Sequence, residues 1–323
     1  MIMSGMESIK PQMQEWTKRM LAELQNCVIC PHQCGANRLN GPGGYCRTDA
    51  ALPVSAVVLH QGEEPVLQGK NGVCNVFFAH CNLQCKFCQN HQISDNKSNI
   101  ETIKYSIELL LNEILMHVDK GAHAVGFVSP SHVLPQVKVL INALKVLRKD
   151  VIIIYNTNAY DKATELAALE GLVDIWLPDL KYMDKQLGKE LSGVSDYPEI
   201  AQLAIREMFR QKGTTLLLDS EGFAVSGLII RHLVLPSRIQ NSLDVLQFLC
   251  DDLSPRVWVS LMSQYFPTYR LKSHPEFGRK LRNDEYKLVL DYMESLGMHR
   301  GWQQAMDSPE TYLPDFQNDS PFS

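Results

Sequence analysis

From residue 73 onward the chain keeps one rhythm. Six short, mostly apolar runs (73–79, 122–128, 151–155, 173–177, 227–235 and 257–261) alternate with amphipathic stretches at 103–120, 134–148, 162–169, 200–212, 243–253 and 284–296. Strands that read as near-continuous apolar runs are buried on both faces, and the intervening helices provide the cover; that is the pattern of a parallel sheet. A closed TIM barrel repeats the strand–helix unit eight times. Six repeats therefore predict an α/β fold of open, partial (β/α)6 TIM type.

The residues before this rhythm differ. Residues 1–24 read as an amphipathic helix with Glu and Lys on its polar face, and 54–59 as a strand. The rest, to residue 72, is rich in Gly, Pro, Asn and Cys. The predicted organisation is a helix and Cys-rich metal-binding segment at 1–72, a core at 73–297 and an extended tail at 298–323. The 323 residues are 45% apolar with a formal charge of −5. That is enough chain for a large core, and the acidic balance gives no electrostatic case for nucleic acid. The absence of an apolar leader or a membrane-length apolar span predicts a protein that is neither secreted nor inserted in a membrane. Of nine cysteines, seven fall in two clusters before residue 90. Such clustering reads as metal ligation in a reducing cytoplasm rather than a disulfide framework.

The first apolar run of the core leads into Cys81-x3-Cys85-x2-Cys88. Three thiolates in one short loop suit an iron–sulfur cluster, and three ligands for four irons leave one iron free for chemistry. Zinc is the competing reading, with His80 or His91 as a fourth ligand.

In parallel α/β folds, ligands bind at the carboxyl ends of the strands. The six runs end in the cysteine loop, in Ser129 to His132, in Asn156 to Asn158, in Asp179 and Lys181, in Pro236 to Arg238 after Arg231 and His232, and in Ser263 to Tyr265. Each alone is an ordinary cap or turn. Together they predict one polar rim beside the cysteine loop.

The loop, with Phe87 just before its third cysteine, resembles the signature of the radical S-adenosylmethionine (SAM) superfamily. Over most of residues 24–270 the chain is similar to the group related to pyruvate formate-lyase activating enzymes, on the stretches 155–160, 177–182, 231–236 and 261–265. The resemblance implies a [4Fe–4S] cluster on Cys81, Cys85 and Cys88 as the catalytic centre. There the open iron chelates the amino and carboxylate groups of SAM, which is reductively cleaved to a 5′-deoxyadenosyl radical that abstracts hydrogen. It also implies a cytoplasmic oxidoreductase acting on a protein or small molecule, including glycyl-radical enzyme activation, with a flavodoxin or ferredoxin as electron donor. By the same resemblance Asn156, Thr157, Asp179 and Lys181 line the SAM pocket, Lys181 and Arg231 neutralise the SAM carboxylate, and Phe87 contacts the adenine. The chain departs from the pattern twice. Residues 128–132 stand where many of these enzymes carry Gly-Gly-Glu, and Asn156 stands where activating enzymes often have Asp, which puts strict activase function in doubt.

The second set, Cys27-x2-Cys30-x3-Cys34-x11-Cys46, supplies four thiolates, enough for zinc or for an auxiliary [4Fe–4S] cluster. Arg38 and Arg47 are placed to offset thiolate charge. Cys74 and Cys250, among apolar neighbours, read as small buried hydrophobes. The reading from another class is an iron–sulfur electron-transfer or metal-binding module without SAM turnover. Such a module has no use for Asn156, Asp179, Lys181 and Arg231 at strand ends.

Overall fold

A computed structural model of the chain describes residues 2–98, 100, 103–306, 314–316, 318, 321 and 322. Its strands are β1 (Leu52–His60), β2 (Val73–Phe78), β3 (Ile103–Tyr105), β4 (Ala124–Val128), β5 (Ile152–Thr157), β6 (Ile175–Pro178), β7 (Leu217–Leu218), β8 (Ala224–Leu233), β9 (Trp258–Met262) and β10 (Gly301–Gln303). Its helices are α1 (Ile2–Gln25), α2 (His91–Ser94), α3 (Ile107–Asp119), α4 (Leu134–Leu147), α5 (Ala163–Ala167), α6 (Lys185–Ser192), α7 (Tyr197–Lys212), α8 (Ile239–Phe248) and α9 (Asn283–Ser295).

The six expected strands are β2, β4, β5, β6, β8 and β9, side by side in that order and all parallel. The sheet runs further than expected at both edges. β1 pairs antiparallel with β2 and carries β3 beyond it, and β10 adds in parallel to β9. The stretch expected to be helical from residue 103 begins as strand β3; Ser106 then caps α3, its side chain accepting from the Leu109 N–H. Part of the expected tail is β10, and 307–313, 317, 319–320 and 323 lie outside the described residues.

Side chains alternate across each strand, and here the alternation separates two interiors. Cys74, Val76 and Phe78 of β2, Ile153 and Tyr155 of β5, Trp176 of β6 and Ile230 of β8 join the main core with the helices. The opposite parity, Val73, Ala124, Ile154, Ile175, Leu177 and Ile229, forms a second apolar cluster with Trp258 and Trp302 packed on it. Residues from nearly every parallel strand meet in that cluster, so the sheet is curled around it as an open barrel. α1 lies across α4, burying Ile9, Met13, Met20 and Leu24 on one face. Lys138 of α4 ties this layer together through Glu23 and Glu165, at 3.3 and 2.8 Å. Among the described residues no helix is long and apolar enough to cross a membrane.

Candidate functional site

Above the apolar floor of the barrel the same inward parity turns polar. A cavity of about 550 Å³ is lined by Phe77, Val128, Asn156, Arg231, Ser260 and Met262 from the strands, by Gln89 and Asn90 from the end of the cysteine loop, and by Glu63 and Glu64 from the connection between β1 and β2. Arg231 donates from Nε to Glu64 at 2.8 Å and from Nη2 to both Glu63 and Glu64. Burial alone would raise the Glu63 carboxyl. The Arg231 guanidinium, with His60 and a 2.7 Å hydrogen bond from Asn75, outweighs it and holds the group below the usual range. Asn75 reaches Glu63 because β4 has Gly126 beside it: a Cβ there would stand 2.1 Å from the Asn75 Oδ1. Phe316 packs edge-on to Phe77 and Phe322 lies tilted against it, with ring centroids 5.3 and 5.5 Å away, and Phe322 lines one side of the cavity with Phe77.

Between the cavity and the cysteine loop lie Asp179 and Lys181, paired at 2.6 Å. Burial would lower the lysine pKa, but Asp179 and, beyond it, Cys85 more than reverse this, so Lys181 keeps its charge. The Tyr197 hydroxyl donates to the carbonyls of Asn158 and Asp179, accepts from the Lys181 N–H, and so fixes the backbone that presents the pair.

β2 delivers the cysteine loop to this rim. Each of its three sulfurs accepts a hydrogen bond. Cys81 Sγ accepts from the Leu83 N–H at 3.3 Å and from Asn158 Nδ2 at 3.5 Å, Cys85 Sγ from Ser192 Oγ at 3.1 Å, and Cys88 Sγ from Ser94 Oγ at 3.3 Å. The loop backbone is held by Asn96, which accepts from the Cys81 N–H at 3.0 Å and donates to its carbonyl at 2.8 Å. It is also held by paired amides of Gln89 and Gln264. Burial pushes the Cys85 thiol up to about 11, against the pull of Lys181. Thiols buried this way bind as thiolates only when a metal supplies the opposing charge. Three sulfurs, each with a donor aimed at it, and a lysine nearby are a donor set that fits a [4Fe–4S] cluster.

The second cysteine set sits against the first. Cys27, Cys30, Cys34 and Cys46 line a separate small cavity of about 10 Å³, with Arg38, His32, Tyr45 and Asn82. The Tyr45 N–H donates to Cys34 Sγ at 3.3 Å, Thr48 Oγ1 lies 3.1 Å from Cys46 Sγ, and Arg38 Nη1 lies 3.7 Å from Cys27 Sγ. Gly44 allows this approach, since a Cβ there would press on Cys34 Sγ at 3.2 Å in a backbone of positive φ. Burial pushes the Cys30 thiol up to about 12; a backbone hydrogen bond at His32 opposes this, and the charges of the other three cysteines add to it. Among the described residues no group of three or more His, Cys, Asp or Glu converges as the ligand shell of a single ion.

Comparison with known proteins adds the following. No protein-family model matches the chain. An uncharacterized protein of Methanocaldococcus jannaschii is 29% identical over 301 residues, 91% of this chain and 82% of the relative. Among solved structures, SuiB of Streptococcus suis bound to its precursor peptide SuiA is matched with a TM-score of 0.48 at 15% identity, over 73% of this chain and 49% of SuiB. A domain of pyruvate-formate lyase-activating enzyme from Bacteroides vulgatus is matched with a TM-score of 0.37 at 14% identity, over 53% of this chain and 93% of the domain. Methylornithine synthase is matched with a TM-score of 0.45 at 14% identity, over 69% of this chain and 62% of the synthase. The chain thus spans about half the length of SuiB.

The residues expected at the site divide three ways. Asn156 and Arg231 line the large cavity. Asp179 and Lys181 form the pair beside it, close enough to the loop for Lys181 to act on Cys81 and Cys85. Phe87, within the cysteine loop, is buried and packs edge-on to Tyr182, and Thr157, on the helix-facing parity of β5, is buried and bonds Asp161. Several residues had no sequence reading. Asn82 donates to the Tyr160 carbonyl at 2.7 Å and accepts from Asn158 at 2.9 Å, pinning the cysteine loop to the end of β5. Ser94 and Asn96 follow the cysteine loop closely and fold back on it, while Ser192, Glu63 and Glu64 reach the site only through the tertiary fold. His132, at the β4 end, is structural: its Nε2 meets the Ala79 carbonyl at 2.8 Å, and burial holds its pKa down to about 3.

Proposed function

We propose that the protein is a radical SAM enzyme. The observation that carries this reading is the three-sulfur loop, every sulfur hydrogen-bonded, set on the rim of a polar barrel cavity beside a charged Lys181. Cys81, Cys85 and Cys88 would hold a [4Fe–4S] cluster. When bound, such a cluster would supply the one-electron chemistry that reductively cleaves SAM to methionine and a 5′-deoxyadenosyl radical able to abstract hydrogen from a substrate.

The chain's own residues bind, orient and exclude. Asp179 holds the Lys181 ammonium at the rim, where it can pair with the methionine carboxylate of SAM. Asn156 offers an amide to the ligand from inside the cavity. Glu63 and Glu64 fix Arg231, so its charge is largely spent within the protein and its role is to shape the cavity wall. Phe77 and Phe322 give that wall an apolar side that sheds water. The substrate is a protein or a small molecule; glycyl-radical enzyme activation is the finer form of the reading, and the donor is of flavodoxin or ferredoxin type. The Cys27 to Cys46 set would hold a second metal centre, and the site of action is the cytoplasm. The test is anaerobic reconstitution with iron and sulfide followed by dithionite and SAM. Formation of 5′-deoxyadenosine is the expected result. Iron bound without it would support a plain electron carrier instead.

A further inference from the structure

We propose that the barrel cavity binds a small molecule carrying an ammonium group on an apolar body, with Glu63 and Ser260 as the groups that recognise its nitrogen. The pocket stands on the cavity alone, whereas the occupant's role as substrate rests on the radical SAM reading.

The walls come first. The cavity encloses about 550 Å³, and small-molecule pockets run from roughly 300 to 1,000 Å³. Strand register sorts its lining into two sides. Phe77 of β2 pairs with Val128 of β4, and Phe322 lies against Phe77. On the other side Arg231 of β8 pairs with Ser260 of β9, and Glu63 and Glu64 bond the arginine. One side is hydrocarbon and the other is polar and charged, so the cavity suits a ligand that is itself two-ended.

Charge comes second. Among the described residues, the charged side chains lining the cavity are Glu63, Glu64 and Arg231. Two carboxylates share one guanidinium, which leaves a negative charge over. It falls on Glu63. Glu64 is met by both Nε and Nη2 of Arg231, the forked pairing that matches a carboxylate best. Glu63 receives only the shared Nη2 and the Asn75 amide. A carboxylate has about four acceptor positions, so Glu63 keeps part of its capacity open. His60, also on the cavity wall, does not cancel the charge: burial lowers its pKa more than nearby Glu63 raises it. The Glu63 side chain is 9% exposed, and a buried carboxylate in excess is disfavoured until a cation meets it.

An open hydroxyl comes third. Ser260 is 7% exposed and lines the cavity, and its hydroxyl has no hydrogen-bond partner among the described residues. Buried hydroxyls are normally bonded. The amides of Gln89, Gln264 and Gln304, on the same cavity, are by contrast spent on one another. Ser260 neighbours Arg231 in register and Arg231 bonds Glu63, so the open hydroxyl and the open carboxylate share one side. Both can accept from an ammonium, whereas the excess charge repels a carboxylate or a phosphate. SAM has an ammonium of its own, but on the proposed reading the open iron takes it at the cysteine loop.

The full chain, reconstituted without oxygen, tests this by calorimetric titration with phenethylamine, its neutral analogue phenethyl alcohol and the anion hydrocinnamate, with and without saturating SAM. Phenethylamine should bind tighter than either analogue by about tenfold, the worth of a hydrogen bond to a charged group. Equal binding of the three, or none of phenethylamine, would overturn the proposal. Glu63→Gln should erase the preference and weaken phenethylamine far more than SAM. A retained preference, or an equal loss for SAM, would overturn it, the latter by giving the carboxylate to SAM. Should Glu63→Gln fail to fold, Ser260→Ala carries the test: phenethylamine should weaken about three- to tenfold, and unchanged affinity would overturn the role of Ser260. Saturating SAM should leave room for phenethylamine; mutual exclusion would overturn a separate ammonium pocket. A preference for phenethylamine without any SAM binding or cleavage would leave the pocket standing and defeat only the radical SAM reading.

Discussion

The two cysteine loops are near neighbours with opposite designs. The Cys81 to Cys88 loop offers three sulfurs, hydrogen-bonded by Asn158 and Ser192 from distant parts of the fold and by nearby Ser94, and stands on the rim of a large polar cavity. The Cys27 to Cys46 loop offers four sulfurs around a small cavity, with donors from its own segment. Its counter-charge is an arginine locked in the interior, while that of the other is a lysine at the rim. A point-charge ammonium on a flexible stem suits a ligand that comes and goes, and a forked guanidinium held by carbonyls suits a permanent centre. On the reading proposed above, number of ligands, access and type of cation would suit the first loop to reaction and the second to a permanent metal.

The largest effect that sharpens this contrast comes from Cys85→Ala. It should abolish SAM cleavage while the second set keeps its metal; retained cleavage in a deoxyadenosine assay would break the division of labour. Lys181→Ala should weaken SAM binding by about 1.5–3 kcal/mol, the worth of a hydrogen bond to a charged group. Calorimetric titration showing unchanged affinity would remove Lys181 from the pocket.

His132 tests the seam between the loops, since its carbonyl holds Arg38 and its ring holds Ala79. Burial keeps its folded pKa at about 3, whereas an unfolded histidine titrates near ~6.5. Below that value the unfolded chain binds the extra proton. The stability from a neutral His132 is therefore complete above pH ~6.5 and is lost as pH falls toward 3, by about 1.4 kcal/mol per unit. Urea unfolding of His132→Gln should show a shallower loss between pH 6.5 and 4.5 than the parent (~6.5 to ~4.5 spans the unfolded titration); identical slopes would mean the ring is not buried neutral. The smallest effect is expected from Ser192→Ala. Losing one hydroxyl-to-sulfur bond should cost about 1 kcal/mol of stability and lower the potential of the first cluster alone. An unchanged potential would remove Ser192 from the surroundings of that cluster.

Features local in the chain were legible in it. The six parallel strands show because residues such as Ile153 and Ile154 are apolar on both faces, and the cysteine sets show because their ligands sit a few residues apart. Strand β10 escaped because three residues carry no period, and β1 showed as a strand but not as the antiparallel partner of β2. The pairing of Arg231 with Glu64 spans 167 residues and leaves no local trace. Asn82, Asn96 and Ser192 look like ordinary polar residues until the fold turns them on the loop. Thr157 was within reach of a parity argument: if Ile154 faces the barrel, so does Asn156, and Thr157 faces the helices.

On the proposed reading, the three-cysteine loop holds a cluster with one iron open to SAM. Its most direct test is the magnetic resonance spectrum of the dithionite-reduced protein before and after SAM is added. The signal lost in Cys85→Ala should change shape when SAM binds in the parent protein. A reduced cluster whose spectrum ignores SAM, or no iron signal from that loop at all, would contradict it.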